Sequence, residues 1–223
     1  MTKPLRVTVE IIVDLLPKSG KVLEIGSRQE KNQKNVANLR RLFPQGEYLG
    51  VDMRSGPGVD RVVNAEKLPF KDNSIDVVLC LETLEHAEKP WLISEEIERV
   101  TKNSGVMIVS SQQNFPIHMH PSDYFRFTPY GLKSLFKKLK SSLLIGISPA
   151  FDNEARLNPQ AVIMVGWKRK NDLSRKIKKE LLKKEGQVSG HKPYRHRIQD
   201  GWKWIKIWRG NLNSSRACRL CFS

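Results

Sequence analysis

The sequence predicts an α/β protein built on a seven-stranded, mostly parallel sheet. Three observations carry this expectation. Short β-rich apolar runs, Lys21–Gly26, Glu47–Asp52 and Ile75–Cys80, alternate with segments of helical period, the pattern of βα units. The runs lead into a glycine, an acid and a polar turn, where open parallel sheets hold ligands, beyond the carboxyl ends of their strands. The last two runs, Ser142–Ser148 and Ala161–Trp167, are joined by polar residues with no helical segment, so they pair antiparallel.

The elements follow in order. Residues 5–16 read as an amphipathic helix laid against the sheet. Glu10 and Asp14 interrupt its apolar residues and break any signal-peptide core. Strand one is 21–26. Val36, Leu39 and Phe43 at helical spacing predict a helix over 33–43. Strand two is 47–52, strand three Arg61–Asn64 after the turn Ser55-Gly-Pro-Gly58, and strand four 75–80. A helix over 89–101 opens on Lys89-Pro90, with proline in its first turn. Strand five is Gly105–Ser110. Thr128 as N-cap and Pro129 after it open a helix over 129–139.

The 223 residues, 39% hydrophobic and 28% charged, suffice for one α/β domain, expected over 1–170, and an extension over 171–223. No apolar run approaches the ~20 residues that span a bilayer. The cytosol is the expected compartment. Three cysteines make no disulfide framework. Cys80 reads as a small core hydrophobe. Of the net charge of +16, +10 lies in residues 171–223, which hold 14 Lys and Arg against 4 Asp and Glu.

The loop after strand one, Gly26-Ser-Arg-Gln-Glu-Lys-Asn32, has one glycine and many charges. A pyrophosphate needs several glycines to approach a helix N-terminus. The loop therefore argues against NAD, FAD and ATP. S-adenosylmethionine has no phosphates, and one glycine allows the turn it needs. Asp52, at the end of strand two, is placed to accept from both hydroxyls of a ribose. Asn64-Ala65-Glu66 offers polar atoms to an adenine edge, with Leu68 and Phe70 as apolar cover.

These residues, in this order, resemble the small type 11 group of class I S-adenosylmethionine-dependent methyltransferases. The matching stretches are Val22-Leu-Glu-Ile-Gly26, Gly50-Val-Asp52, Ala65-Glu-Lys-Leu-Pro-Phe70, Asp72-Asn-Ser-Ile-Asp-Val-Val78, Leu84-Glu-His86, Glu96-Ile-Glu-Arg-Val100 and Gly105-Val-Met-Ile-Val109. The resemblance covers about residues 20–168. It implies the Rossmann-like class I methyltransferase fold, a sheet whose last strand is antiparallel, and methyl transfer from S-adenosyl-L-methionine. It implies cofactor contacts from Glu24, Gly26, Ser27, Asp52, Met53, Asn64, Ala65, Glu66 and Leu81. Two departures stand out: the family's turn has two or three glycines, and Asn64 stands where an acid commonly faces the adenine amino group.

In-line transfer from a sulfonium needs proximity and orientation first, and a base only where the acceptor must lose a proton. His86, after strand four, reads either as that base or as a histidine shaping the pocket floor. The long loop after strand five, Ile117-His-Met-His-Pro-Ser-Asp-Tyr-Phe-Arg-Phe-Thr-Pro129, is the second candidate region. A similar block occurs in bacterial methyltransferases resembling this chain, which implies a lid over the acceptor. His118 and Asp123 are assigned to the acceptor pocket, and Arg126 to bracing the loop. No metal is assigned. The Cys218-x-x-Cys221 pair lacks a second half, and His118-x-His120-x-x-Asp123 has no further committed ligand nearby.

The expected acceptor is a small molecule, a glycan or a lipid-linked saccharide. RNA methylation through the basic tail is the alternative, as is a non-catalytic binding module. Ile198, Trp202, Ile205, Trp208 and Leu212 fall on one stripe of a helix, flanked by Lys203, Lys206 and Arg209. A basic, Trp-rich helix over 197–212 would lie at a membrane's inner face, bind RNA or a partner groove, or dock on its own domain.

Overall fold

A computed structural model of the chain describes residues 1–30, 34–118, 122–147, 159–189 and 205–208. Helix α1, Lys3–Asp14, is capped by Thr2, whose hydroxyl accepts from the Leu5 N–H at 3.4 Å, and carries proline in its first turn. Its apolar stripe puts Leu5, Val9 and Ile12 fully out of solvent. Each such side chain contributes about 1.5–3 kcal/mol of burial.

The strands are β1 Ser19–Ile25, β2 Gln45–Asp52, β3 Arg61–Val62, β4 Ile75–Leu81, β5 Thr101–Gln112, β6 Ser141–Ile147, β7 Ala161–Trp167 and β8 Ile205–Trp208. They form one sheet in the order β3-β2-β1-β4-β5-β7-β6-β8. The pairs among β1 to β5 are parallel, and β5–β7, β7–β6 and β6–β8 are antiparallel. The seven expected strands are all present, with the expected antiparallel end.

Alternation along the strands builds two cores. Val77, Leu79, Leu81, Val106 and Ile108 face α1 and helix α5, Leu173–Ser189. Val78, Cys80, Met107 and Val109 face α3, Pro90–Val100, and α4, Pro129–Ser134. Cys80 is fully buried, and burial pushes its thiol pKa up, as suits a packing residue. Ile177 and Leu181 of α5 are fully buried in the first core, so the basic extension adds a helix to the domain.

Four expectations about elements need correction. The helix predicted over 33–43 is a short α2, Lys34–Ala37, and a separate 3-10 turn, Arg40–Leu42. Between them the Asn38 side chain accepts from the Arg40 N–H at 3.2 Å, a local bond that competes with the helix. Helix α4 stops at Ser134 rather than 139. Beyond it, the Lys137 and Lys138 N–H groups donate to the buried Glu98 carboxylate at 3.2 and 2.6 Å instead of extending the helix. Helix α5 runs through Gly186 to Ser189, into residues 186–193, whose glycine, histidine and proline predict a linker. The helix expected over 197–212 gives way at Ile205–Trp208, the described part of that stretch, to strand β8 on the open edge of β6. The alternation Ile205-Lys206-Ile207-Trp208 is a strand period as well as part of a helical stripe. The rest of that stretch and Cys218 and Cys221 lie outside the described residues. Among the described residues no helix is long and apolar enough to cross a membrane.

Strand order reverses at β1, which lies between β2 and β4. The crevice beyond the carboxyl ends of β1 and β4 is therefore where this fold has room for a ligand.

Candidate functional site

A cleft of about 630 Å³ occupies that crevice, a size typical of small-molecule sites. One wall is the turn after β1. Gly26 has φ +76°, and a Cβ there would lie 2.1 Å from the Thr83 Oγ1. Only glycine fits, because the left-handed backbone and the close neighbour both exclude a side chain. The turn is tied to β2 by the Gly26 and Ser27 N–H groups, which donate to the Val51 carbonyl at 2.9 and 3.1 Å.

Every residue assigned to the cofactor from the sequence lines this cleft: Glu24, Gly26, Ser27, Asp52, Met53, Asn64, Ala65, Glu66 and Leu81. Asp52 is oriented by two backbone donors, the Arg28 N–H at 3.3 Å and the Arg54 N–H at 3.0 Å, one on each carboxylate oxygen. Each oxygen keeps further acceptor capacity. The Asn64 side-chain oxygen accepts from the Glu66 N–H at 2.9 Å, so its first role is to fix that turn. The Glu24 carboxylate accepts from the Tyr48 hydroxyl at 2.6 Å. Burial pushes its pKa up to about 7, against the lowering effect of that bond. The Ser27 hydroxyl is buried on the cleft wall with no hydrogen-bond partner among the described residues. A glycine-made turn, an oriented carboxylate and an unsatisfied hydroxyl suit a nucleoside ligand without phosphates.

The other wall comes from the turn after β4 and the loop after β5. The turn starts at Glu82, whose φ of +52° is left-handed without being glycine. Such a conformation persists only where surroundings hold it, and marks functional sites. Here the Glu82 N–H donates to the Ser110 carbonyl at 3.1 Å. Its carboxylate accepts from the Ser110 hydroxyl at 3.0 Å and from the Gln112 amide. Burial raises the Glu82 pKa. Glu85 is fully buried and accepts from the Ser111 hydroxyl at 2.7 Å. Burial, then the charge of Glu82, pushes Glu85 up to about 8. Neither acid was assigned from the sequence. Their signal was the acidic turn Leu81-Glu-Thr-Leu-Glu-His86, in which the histidine drew the attention.

His86 and His118 both line the cleft, their ring centroids 4.8 Å apart and their planes at 81°. His86 Nδ1 lies 2.5 Å from the Ser122 carbonyl oxygen. A carbonyl only accepts, so Nδ1 carries a proton, and in the neutral ring the lone pair is on Nε2. The loop is pinned over the turn, with the Tyr124 and Phe125 N–H groups donating to the Glu85 carbonyl at 2.8 and 3.2 Å. His120 lies outside the described residues.

Asp123 does not line the cleft. Its buried carboxylate takes the Arg126 guanidinium at 2.5 and 2.6 Å and the His118 N–H at 2.9 Å. It also faces His118 Nδ1 at 3.2 Å. The Arg126 bonds hold its pKa well below the usual carboxylate range. Asp123 therefore reaches the cleft only through His118, as the group that orients that ring. Arg126 also donates to the Phe115 and Pro116 carbonyls at 3.1 Å each, the bracing role expected of it.

Comparison with known proteins matches this geometry. Residues 23–109 match the type 11 family model described as a methyltransferase domain. Over those residues, fewer than half of its length, the chain is similar to that family. It is 38% identical over 74 residues to an uncharacterized methyltransferase of Mycobacterium sp. (strain JLS), covering 29% of this chain and 29% of the relative. To an uncharacterized methyltransferase of Mycobacterium tuberculosis (strain ATCC 25618 / H37Rv) it is 37% identical over 54 residues, covering 24% of this chain and 21% of the relative. The chain thus spans less than a third of these relatives. Among solved structures, the domain superposes on a SAM-dependent methyltransferase from Archaeoglobus fulgidus with a TM-score of 0.55 at 15% identity, covering 73% of this chain and 92% of that one. The TM-score is 0.51 at 14% identity for 1,6-didemethyltoxoflavin-N1-methyltransferase of Burkholderia thailandensis, solved with its substrate and S-adenosylhomocysteine. That match covers 74% of this chain and 77% of that one. At these identities the likeness is one of fold, and the cleft lies at that fold's switch point.

Proposed function

We propose that the protein transfers a methyl group from S-adenosylmethionine to a small-molecule, glycan or lipid-linked saccharide acceptor. The observation that carries this reading is the division of one cleft into two chemically different walls. The Gly26 turn, Asp52 and the 64–66 turn make the nucleoside wall. His86 and His118 make the other, under a pinned loop.

When bound, S-adenosylmethionine supplies an electrophilic methyl on a sulfonium. Asp52 would hold it by accepting from its ribose hydroxyls, and Ser27 would satisfy its own buried hydroxyl against it. Ala65 and Leu81 offer apolar cover on the same wall. The acceptor would lie between that wall and the histidines. The Ser122 and Asp123 contacts fix both rings, so an acceptor oxygen or nitrogen would meet pre-oriented imidazoles. The loop from Phe115 to Phe127 is fastened by side-chain and backbone bonds to its own residues and to Glu85, which favours a compact acceptor over a nucleic acid chain.

The test is calorimetry with S-adenosylhomocysteine, then labelled S-adenosylmethionine incubated with fractionated lysate. Binding by the wild type, weakened by Asp52→Ala, and label in organic-extractable or polysaccharide material are expected. No binding would leave a non-catalytic binding module. Label in nuclease-sensitive material would move the acceptor to RNA.

A further inference from the structure

A carboxylate oxygen of Glu85 and one ring nitrogen each of His86 and His118 all lie within 4.8 Å of one another. Among the described residues this is the one such group of three. Glu85 and His86 come from the turn after β4, and His118 from the loop after β5. They converge because β4 and β5 are neighbours in the sheet. From this juxtaposition we propose that Glu85, His86 and His118 hold a divalent first-row transition cation at the acceptor end of the cleft.

Three features support the site. First, Glu85 is fully buried, and while one of its oxygens takes the Ser111 hydroxyl, Oε1 has no hydrogen-bond partner among the described residues. A buried carboxylate oxygen left unsatisfied is rare and calls for an explanation, and a cation supplies one. Second, both histidines have a carbonyl acceptor at Nδ1, His86 the Ser122 carbonyl at 2.5 Å and His118 the Pro116 carbonyl at 3.3 Å, with the Asp123 carboxylate 3.2 Å from the same His118 nitrogen. Metal-ligating histidines characteristically donate their other nitrogen to a carbonyl or carboxylate, which fixes the ring and the ligating Nε2. Third, both imidazoles line the cleft, so the fourth side of the site is open to it.

The geometry is close to what such an ion needs. Ligand distances of ~2.0–2.2 Å place tetrahedral neighbours about 3.4 Å apart. Closing from 4.8 Å to that spacing takes about 1.4 Å, shared among the three side chains. Two imidazoles and one carboxylate with an open position form a donor set used for Zn²⁺ and for Fe²⁺. An acceptor oxygen in that open position would be polarised by the cation.

The experiment titrates the untagged full chain with Co²⁺, read by its visible ligand-field absorption, and with Zn²⁺ against a chromophoric chelator. Cys218→Ser and Cys221→Ser are present throughout, so that thiols take no part. One equivalent bound, with absorption stronger than that of the aqua ion, is expected. Removing an outer-shell partner typically costs 10–100-fold in affinity. Losses of at least about 100-fold are therefore expected for His86→Ala, His118→Ala and Glu85→Gln. S-adenosylhomocysteine calorimetry and circular dichroism on each variant check the fold. Failure of the parent chain to bind Co²⁺ or Zn²⁺, or equal affinity in a folded Glu85→Gln variant and the parent, would overturn the proposal. Metal uptake without S-adenosylhomocysteine binding would uphold the cation site and sink the methyl-transfer reading, so the two fail separately.

Discussion

Gly26→Ala is the perturbation whose cost the structure specifies most directly. The residue sits at φ +76°, and an added Cβ would lie 2.1 Å from Thr83 Oγ1 and 2.8 Å from Thr83 Cγ2. The left-handed backbone alone costs an alanine about 1–2 kcal/mol. Thr83 would also have to turn, breaking its hydroxyl bond to the Leu81 carbonyl at 3.0 Å, worth about 1 kcal/mol. The sum is about 2–3 kcal/mol. With urea m-values of about 1–3 kcal/mol/M, the unfolding midpoint should fall by about 1–2 M. The steric part can be isolated by a double-mutant cycle. In a Thr83→Ala background the two closest atoms are gone and only Thr83 Cβ, at 3.0 Å, remains. Gly26→Ala should then cost about 1 kcal/mol less than in the wild type. S-adenosylhomocysteine affinity should fall in Gly26→Ala, because the same turn lines the cleft proposed to hold the cofactor. A midpoint unchanged by Gly26→Ala, or an equal cost in both backgrounds, would refute the account of why this turn holds a single glycine.

The remaining predictions concern the two walls and the loop. Asp52→Ala should weaken S-adenosylhomocysteine binding about 10–100-fold by calorimetry, since hydrogen bonds to a charged acceptor are worth about 1.5–3 kcal/mol. Arg126→Ala should lower stability by about 3 kcal/mol in urea unfolding, because it strands the buried Asp123 carboxylate; a loss under 1 kcal/mol would show that Asp123 does not depend on it. Glu24 binds its proton more tightly folded, at about 7, than at its ordinary value of 4.5. The unfolded chain releases that proton first as pH rises, so stability should fall by roughly 3 kcal/mol between pH 4.5 and 7. Glu24→Gln should remove that slope from urea midpoints measured across the window.

Legibility from sequence followed the range of the interactions. The strands were readable because their alternation is local, and Val77, Leu79 and Leu81 do face one core while Val78 and Cys80 face the other. Caps were readable for the same reason: Thr128 accepts from the Gly131 N–H at 3.0 Å. Helix lengths were not readable where a distant side chain takes over the backbone, as Glu98 does beyond α4. That Gly26, Asp52 and the 64–66 turn line one cleft was legible residue by residue, since each closes a strand or opens a turn. The opposite wall of the cleft was legible only in part. His86 and His118 stand out in the sequence, but Glu82 and Glu85 look like ordinary turn acids until the fold brings them against Ser110 and Ser111.

That difference has a physical origin in the sheet order. Parallel neighbours β4 and β5 deliver their carboxyl ends side by side, with Leu81 opposite Ser110. Whatever follows β4 must therefore meet whatever follows β5, although 26 residues separate Glu85 from Ser111. Glu85 is buried where the loop after β5 is pinned to its carbonyl by the Tyr124 and Phe125 N–H groups. The same loop sets the ring of His118 against His86. A loop serving only as cover would need aromatic packing and no buried carboxylate. A buried acid beside two oriented imidazoles is costly to keep out of water unless it is paired. Its presence there is the reason to look for the site's chemistry at this end of the cleft.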